Sequence, residues 1–403
     1  MYNDTKHDDP PRSAAGSAKP SLSALTAAAL ALPGLAQAQI QTDYMYARYA
    51  EAGLARDKVA GDTRERYEID THLFRVAAPV GDQAVVAAFT YETLSGASPW
   101  WVAPNAQTGR PEVIMSGASI REERADMQLT WALPLAGVDW GVSVGYSKED
   151  DYEATNGGLE FEYTPEGAAY TLSGGIGYSY DRLTPTVGTS SSDVIAKADK
   201  DSFSAYGGVS WVLNAQTVLQ TALSYGLHDG YLSDPYKRAF LVDTAGTVRD
   251  SRPGQRDQLS ASAKLRHYLP QYSAALHADY RYYVDSWEIE AHTLELAWHQ
   301  ILGDSWRITP GLRWYSQSQA DFYAPFYQTR RSDGLASSDY RLSPYGAVAL
   351  RLDARKALPQ DWEIGAGVEW YEASGDYAIG SVRVENPGLV EYLNFSFRLG
   401  KRF

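Results

Sequence analysis

The sequence predicts an all-β protein: a transmembrane, antiparallel, up-and-down β-barrel of about sixteen strands, with about fourteen as the alternative. Three observations predict this fold. The chain repeats stretches of roughly ten residues in which apolar and polar side chains alternate. Its last strand is apolar on one face and ends in Phe403, and its N-terminus carries an export signal. Beyond residue 38 no segment approaches about eighteen consecutive apolar residues, so no membrane-spanning helix is expected.

The first 38 residues predict a secretory signal peptide. An apolar run over residues 22–32 is broken by Pro33-Gly34 and followed by Ala36-Gln37-Ala38, an A-x-A cleavage motif. This run is too short to span a bilayer as a helix. Residues 39–62 are then an N-terminal segment with a possible first strand, and residues 63–403 form the barrel. Export is expected to place the chain in the outer membrane of a Gram-negative bacterium.

The middle of the chain supplies strands with period-two alternation. Trp residues stand at both ends of the apolar rows in residues 306–314 and 362–370, as expected for strands that cross a hydrocarbon layer. Counting from about Thr63 gives about fifteen strands. An even count needs one more, and residues 41–52 are the candidate, although Arg48 interrupts one face and Glu51 ends the other.

Turn signals predict the direction of the strands. Short connections near residues 79–83, 136–139 and 356–361 alternate with longer ones, as in barrels with tight periplasmic turns and long external loops. Residues 149–158 are predicted to be one of the long external loops, and the connection around Asp285-Ser286-Trp287 must be short.

The last eleven residues form the clearest strand. Their apolar side chains share one face: Leu393, Phe395, Phe397, Leu399 and Phe403. A period-two apolar row that ends at a C-terminal Phe is typical of the closing strand of an outer-membrane barrel. In such proteins this strand resembles the tag read by the barrel-assembly machinery. These residues are therefore the predicted assembly signal, and that machinery is an expected partner.

Composition excludes several classes of protein. The chain has no cysteine, so neither a lipid-anchored lipoprotein nor a disulfide is expected. Fifty acidic residues outnumber 36 basic ones, which disfavours nucleic acid as a partner. An acidic surface suits divalent cations held among lipopolysaccharide phosphates, so membrane lipid and lipopolysaccharide are expected partners. The 29 Tyr and 11 Trp residues can supply aromatic girdles at both interfaces.

The interior of such a barrel is predicted to be an aqueous lumen, because side chains cannot fill about sixteen strands. The candidate pore-lining residues on the polar faces are Lys264, Arg266, His277, Asp279, Arg281, Glu295, His299, Arg307, Arg313, Glu363 and Glu369. Mixed charges on a wet wall are typical of a general diffusion pore, and also of a salt-bridged wall with no transport role. The basic members, on neighbouring strands, would form a ladder that favours anions.

No metal site and no catalytic site are predicted. Glu149, Asp150, Asp151 and Glu153 gather before a turn, but the EF-hand spacing is absent, so a solvated acidic hairpin tip is the preferred interpretation. The histidines after residue 38 share no short motif with a nucleophilic Ser. The chain is therefore not expected to be an enzyme.

Several stretches together resemble a bacterial outer-membrane family of unknown function. They are Ser95-Gly96-Ala97-Ser98, Ser116-Gly117-Ala118-Ser119, residues 230–237 (GYLSDPYK), Arg252-Pro253 and the C-terminal tail. The resemblance covers nearly the whole mature chain and implies a porin-like barrel without an established activity. The two SGAS copies also resemble the acceptor for covalent flavin attachment, but the usual hydroxyl residue two positions on is missing. No cofactor is expected.

The predicted function is a passive or weakly selective pore for small polar solutes. The first alternative is a barrel that houses or docks a periplasmic or surface protein, including one with a redox role. The second alternative is an outer-membrane lipid-modifying enzyme, which would need a His that polarises a Ser.

Overall fold

A computed structural model describes residues 39–116, 120–186 and 194–403 of the chain. Within these ranges the protein is built from β-strands and five short 3₁₀ turns: Arg56–Lys58, Pro270–Tyr272, Tyr340–Leu342, Pro359–Asp361 and Gly375–Tyr377. In the part of the chain that the structure describes, no helix has the length and apolar character needed to cross a membrane. The predicted signal peptide, residues 1–38, lies outside the described residues.

Sixteen strands form one closed antiparallel barrel, which confirms the predicted fold and strand number. In barrel order they are β1 (Gln41–Glu51), β2 (Glu68–Val80), β3 (Gln83–Gly96), β6 (Ile120–Leu135), β7 (Val138–Lys148), β8 (Tyr152–Tyr163), β9 (Tyr170–Leu183), β10 (Ala198–Asn214), β11 (Thr217–Gly230), β14 (Gln255–Leu269), β15 (Ala274–Asp285), β16 (Glu290–Leu302), β17 (Trp306–Gln317), β18 (Tyr345–Leu358), β19 (Trp362–Ser374) and β20 (Glu391–Arg402). Two hairpins lie in external connections: β4 (Pro99–Pro104) with β5 (Pro111–Met115), and β12 (Arg238–Leu241) with β13 (Gly246–Arg249).

The barrel closes between its first and last strands. Gln41 pairs with Arg402, and Glu51 pairs with Tyr392. β1 therefore occupies the segment where the sequence suggested a first strand. The charge that interrupts its outward face, Arg48, lies 2.7 Å from Glu68 on β2, near the external end of the strand. Glu51 points inward and accepts a hydrogen bond from Arg66 at 2.5 Å. Both charges are thus paired.

Side chains alternate between lipid and lumen along each strand. On β20, Phe395 and Phe397 are 54% and 46% exposed, which in a barrel means that they face lipid. The residues between them, such as Ser396, face the interior. All five residues of the predicted assembly signal lie on or directly after β20, and Phe403 follows its last residue.

Connections at the two ends of the barrel differ in length. The first strand begins and the last strand finishes at the same end of the barrel, and the turns at that end are short. In one of them, Ala136 and Gly137 have φ values of 56° and 77°, as in a tight hairpin turn. The opposite end carries the long connections. Short turns mark the periplasmic end of outer-membrane barrels, so the long connections are external.

The prediction of a long loop over residues 149–158 is wrong. β8 begins at Tyr152 and runs through Asn156-Gly157-Gly158, which has the composition of a turn. Gln128 on β6 donates a hydrogen bond to Asn156 at 3.1 Å by crossing Gly145 on β7. A Cβ atom at Gly145 would lie only 2.2 Å from the Gln128 amide nitrogen. Small residues here leave room for this contact inside the barrel, and they do not mark a turn.

Outward tyrosines form a girdle near the external end of the barrel, which we call the external girdle. Each donates a hydrogen bond to a carboxylate: Tyr146 to Glu153, Tyr178 to Asp201, Tyr180 to Asp199 and Tyr225 to Asp257. A carboxylate in hydrocarbon would be costly, so the apolar layer ends on the periplasmic side of this girdle.

Replacing Phe397 with Arg is expected to lower the free energy of unfolding in lipid bilayers by about 2–4 kcal/mol, because the side chain lies in the apolar belt. The matched control, Phe397→Leu, keeps an apolar side chain and is expected to change stability far less. Urea titration of heat-modifiable gel mobility measures both. Equal stability of the Arg and Leu variants would contradict the assignment of this face to lipid.

Candidate functional site

One row of charged side chains crosses the lumenal wall in register over four neighbouring strands. Strand register places four residues side by side on β14, β15, β16 and β17: Lys264, Asp279, Glu295 and Arg313. Alternation shows which face each residue occupies, but only the register shows that these four meet in one row. Two adjacent carboxylates, with one cation on either side, therefore run across four neighbouring strands.

Arginines neutralise the carboxylates of this row. Arg266 donates hydrogen bonds to both oxygens of Asp279. Arg351, on β18, lies 3.6 Å from Glu295. Each carboxylate thus has a guanidinium partner from a neighbouring row.

Three cations of the predicted basic ladder are not neutralised in this way. No carboxylate among the described residues lies within ion-pair distance of Lys264, Arg281 or Arg313. Arg307, by contrast, lies 3.6 Å from Glu363 near the periplasmic end. Of the predicted basic ladder, therefore, Arg266 and Arg307 are paired, and the other three carry the excess positive charge.

The remaining predicted lining residues lie away from this row. The rings of His277 and His299 are 4.0 Å apart between centroids. Glu369 accepts a hydrogen bond from Tyr392 at 2.7 Å. The eleven predicted residues thus share the lumenal face but are distributed over several heights.

A cavity of about 440 Å³ lies against the row. Lys264, Arg281 and Arg313 bound one side of it. Small hydroxyl residues on β9, β10, β11 and β14 bound it too: Ser173, Ser210, Ser224, Ser260 and Ser262. Since these side chains are short, they leave space for a solute and present donors and acceptors to it.

External connections close over the mouth of the barrel. Five of them pack together and form what we call the cap: residues 52–67, 97–116, 231–254, 318–344 and 375–390. One apolar core of the cap centres on Val102 and Val113, and another on Phe322 with Trp287 from a neighbouring connection. Because these connections start on strands from opposite sides of the barrel, the cap spans the lumen.

A buried ion cluster joins two segments of the cap. The Asp339 carboxylate accepts hydrogen bonds from Arg341, at 2.9 Å, and from Arg252, also at 2.9 Å. Arg341 also lies 3.0 Å from Asp234. Burial would raise the pKa of Asp339, but Arg341, Lys237 and Arg252 hold it well below the usual carboxyl range. The GYLSDPYK stretch and Arg252 are thus parts of one ionic core.

Two hydrogen bonds tie this segment to the β4–β5 hairpin. Lys237 donates from Nζ to the Pro99 carbonyl at 2.8 Å, and Trp100 donates from Nε1 to the Tyr236 carbonyl at 2.6 Å. The hairpin leaves the barrel between β3 and β6, whereas the Tyr236 segment leaves it between β11 and β14. These bonds therefore cross the mouth.

The first and last external connections are also joined. Lys58 lies 3.0 Å from Glu385, and Arg66 donates a hydrogen bond to the Gly388 carbonyl at 3.1 Å. The cap thus includes segments that flank the closure between β1 and β20.

The SGAS copies flank the base of the β4–β5 hairpin. The Ser98 backbone N–H donates to Ser116 Oγ at 3.0 Å, and the Ser116 N–H donates to the Ser98 carbonyl at 2.9 Å. Residues 117–119 of the second copy lie outside the described residues. The contacts of the described part close a hairpin.

The acidic connection between β7 and β8 is not a fully solvated tip. Asp151 is buried, and its carboxylate accepts a hydrogen bond from Tyr236 of the cap. Glu153 lies on the exterior, 3.7 Å from Arg182. The sequence placed these acidic residues in one group, and the structure separates them.

One histidine contacts a serine, although no short sequence motif pairs the two residues. Ser202 Oγ lies 2.8 Å from His228 Nδ1, and His228 Nε2 lies 3.1 Å from Gln258 Oε1. An acceptor at Nε2 fixes the proton there, so Nδ1 accepts from Ser202. All three residues are buried, and none of them lines the 440 Å³ cavity. This arrangement satisfies buried polar groups and offers a substrate no access.

Residues 22–399 match the family model described as "Protein of unknown function (DUF3570)". The chain belongs to this family. The match confirms the resemblance to an outer-membrane family of unknown function. No curated protein sequence matches this DUF3570 family member.

Several solved structures are similar to this DUF3570 protein at low sequence identity. A bacterial polysaccharide outer membrane secretin is 12% identical with a TM-score of 0.46, covering 90% of this chain and 98% of that chain. OccK3 (OpdO) from Pseudomonas aeruginosa is 10% identical with a TM-score of 0.40, covering 91% and 95%. The siderophore receptor PirA from Pseudomonas aeruginosa is 10% identical with a TM-score of 0.42, covering 83% and 56%, so this chain spans about half of that receptor. These similarities concern the fold alone.

Replacing Asp339 with Asn is expected to loosen the cap at neutral pH, because Arg252 and Arg341 would lose a buried counter-charge. Hydrogen exchange of residues 318–344 measures this and should become faster. Asp333→Asn makes the same change in the same segment, at an exposed side chain, and should leave the exchange nearly unchanged. Equal exchange in both variants would show that the cluster does not hold the cap.

Acid is expected to loosen the cap in the same way. A lowered pKa in the folded state means that the contribution of Asp339 to stability is complete above the ordinary carboxyl pKa of about 4. It is lost as the pH falls further, through the folded value. Protection of residues 318–344 should thus be constant from neutral pH to about pH 5 and fall below about pH 4, with this step absent in Asp339→Asn.

A fluorophosphonate probe is expected to leave the folded protein unlabelled, because Ser202 is buried beside His228. Mass spectrometry of the treated protein measures labelling, and a heat-unfolded sample gives the background. Labelling of the native protein that disappears in Ser202→Ala would contradict this expectation and support the enzyme alternative.

Proposed function

We propose that this protein is a passive outer-membrane channel for small polar solutes, with a weak preference for anions and with permeation limited by the cap. The observation that carries this proposal is the cavity of about 440 Å³. It is bounded by three cations without ion-pair partners, by one such carboxylate, Glu162, and by small hydroxyl residues. A sixteen-stranded wall with a polar interior supports an aqueous route.

The preference follows from the balance of fixed charges. Lys264, Arg281 and Arg313 attract anions, whereas Asp279 and Glu295 are offset by arginines of neighbouring rows. Glu162 also lines the cavity without an ion-pair partner among the described residues, but the three cations outnumber it. Salt screens exposed charges over about 8 Å at physiological ionic strength, so the preference is weak in a wet lumen.

A second candidate function is a housing or docking platform for a periplasmic or surface protein. The cap across the external mouth favours it, because a covered mouth limits free diffusion. Such a barrel would copurify with its partner and would conduct little.

For either function, we propose that the external girdle contacts lipopolysaccharide through divalent cations bound to carboxylates such as Asp199 and Asp201.

Replacing Arg281 and Arg313 together with Gln is expected to lower the ratio of anion to cation permeability by about twofold or more, because both are unneutralised cations at the cavity. Reversal potentials in planar bilayers under a salt gradient measure this ratio. Arg307→Gln is the matched control. It removes an arginine that lies near Glu363, so it should shift the ratio less.

Conductance itself separates the two candidate functions. If the purified protein is electrically silent and Asp339→Asn is silent as well, the route is closed even with a loosened cap and the channel proposal fails. Conductance that rises in Asp339→Asn supports a cap-limited channel.

A further inference from the structure

Three carboxylates from two separate parts of the chain meet at the inner edge of the external mouth. Glu122 is near the external end of β6, and Glu149 and Asp151 belong to the connection between β7 and β8. One oxygen from each side chain lies within 4.8 Å of those of the other two.

Two of these carboxylates are buried without full hydrogen bonding. Glu122 is 7% exposed and Asp151 is 3% exposed. Neither Oε1 of Glu122 nor Oδ1 of Asp151 has a hydrogen-bond partner among the described residues. A buried carboxylate oxygen without a partner is costly, and two of them beside a third carboxylate repel one another.

The nearest guanidinium does not resolve this repulsion. Arg124 Nε lies 3.7 Å from Glu149, but the same guanidinium contacts Glu92 at 3.4 Å and Asp126 at 3.6 Å. No Lys or Arg of the described ranges lies within ion-pair distance of Glu122 or Asp151. Negative charge therefore remains in excess at a protected site.

The spacing of the oxygens matches an oxygen-liganded divalent cation. Calcium binds carboxylate oxygens at about 2.3–2.6 Å, so two ligands of one ion lie at most about 5 Å apart. The observed limit of 4.8 Å satisfies this condition for all three pairs. We propose that Glu122, Glu149 and Asp151 form a binding site for a divalent cation of the calcium class.

Such an ion would connect the barrel wall to the cap. The second oxygen of Asp151 accepts a hydrogen bond from Tyr236, and the Tyr236 carbonyl accepts one from Trp100. Fixing Asp151 by a cation therefore also fixes the cap segment that carries Tyr236. The inference stands whether or not the barrel conducts.

Terbium luminescence on the full chain tests the site, in detergent micelles free of lipopolysaccharide so that no lipid phosphate binds the probe. Tyr236 is close enough to sensitise bound Tb³⁺. We expect saturable emission that Ca²⁺ reverses. Glu122→Gln and Asp151→Asn should each weaken Tb³⁺ and Ca²⁺ binding by at least about tenfold, because calcium affinity depends on ligand charge.

Asp333→Asn is the control, since it removes one exposed carboxylate from another part of the cap and should leave the affinity unchanged. Heat-modifiable gel mobility shows which variants fold. If one site variant does not fold, the other provides the same test. Hydrogen exchange at residues 231–237 gives a second measurement: Ca²⁺ should slow it in the wild-type protein and not in Asp151→Asn.

Absence of saturable Tb³⁺ or Ca²⁺ binding to the folded wild-type protein between pH 7 and 8 would overturn the proposal. Binding that Glu122→Gln and Asp151→Asn leave unchanged would also overturn it, since the ion would then be elsewhere.

Discussion

Closure of the backbone ladder is the constraint on which this structure depends. A strand edge inside hydrocarbon would leave N–H and C=O groups unpaired, so β1 must pair with β20 along its length. Once the sheet is closed, its two faces meet different surroundings, and period-two alternation follows. The lipid-facing Phe397 and the lumenal Arg398 are neighbours in sequence for this reason.

Sequence alternation predicted the barrel, the strand number and the lumenal face of the later strands, because each depends on a local period of two. Alternation could not predict that Lys264, Asp279, Glu295 and Arg313 share one row, since alignment across strands depends on the register of their pairing. It misjudged Asn156-Gly157-Gly158, where small residues accommodate a side chain from another strand instead of forming a turn. Sequence analysis missed Glu122 because it is close to Glu149 and Asp151 in the fold but distant from them in sequence, and no spacing motif links the three.

The cap was also beyond sequence reasoning. Its contacts join segments that have no period and that leave the barrel on opposite sides, as the bond from Lys237 to Pro99 shows. Such long-range contacts depend on the shape of the mouth. The ionic core around Asp339 then explains why acidic and basic residues, which alone suggest solvated loops, become buried. Buried pairs of this kind favour one arrangement over others that would leave a charge without its partner.

The contact between the first and last external connections has a consequence for biogenesis. Lys58 can meet Glu385, and Arg66 can reach Gly388, only when the two ends of the sheet are side by side. In a partly inserted sheet these two connections would be apart, and the charged side chains of Lys58, Arg66 and Glu385 would remain in water. The cap is therefore completed late in assembly. Slow hydrogen exchange in the cap indicates that the barrel beneath it has closed between β1 and β20.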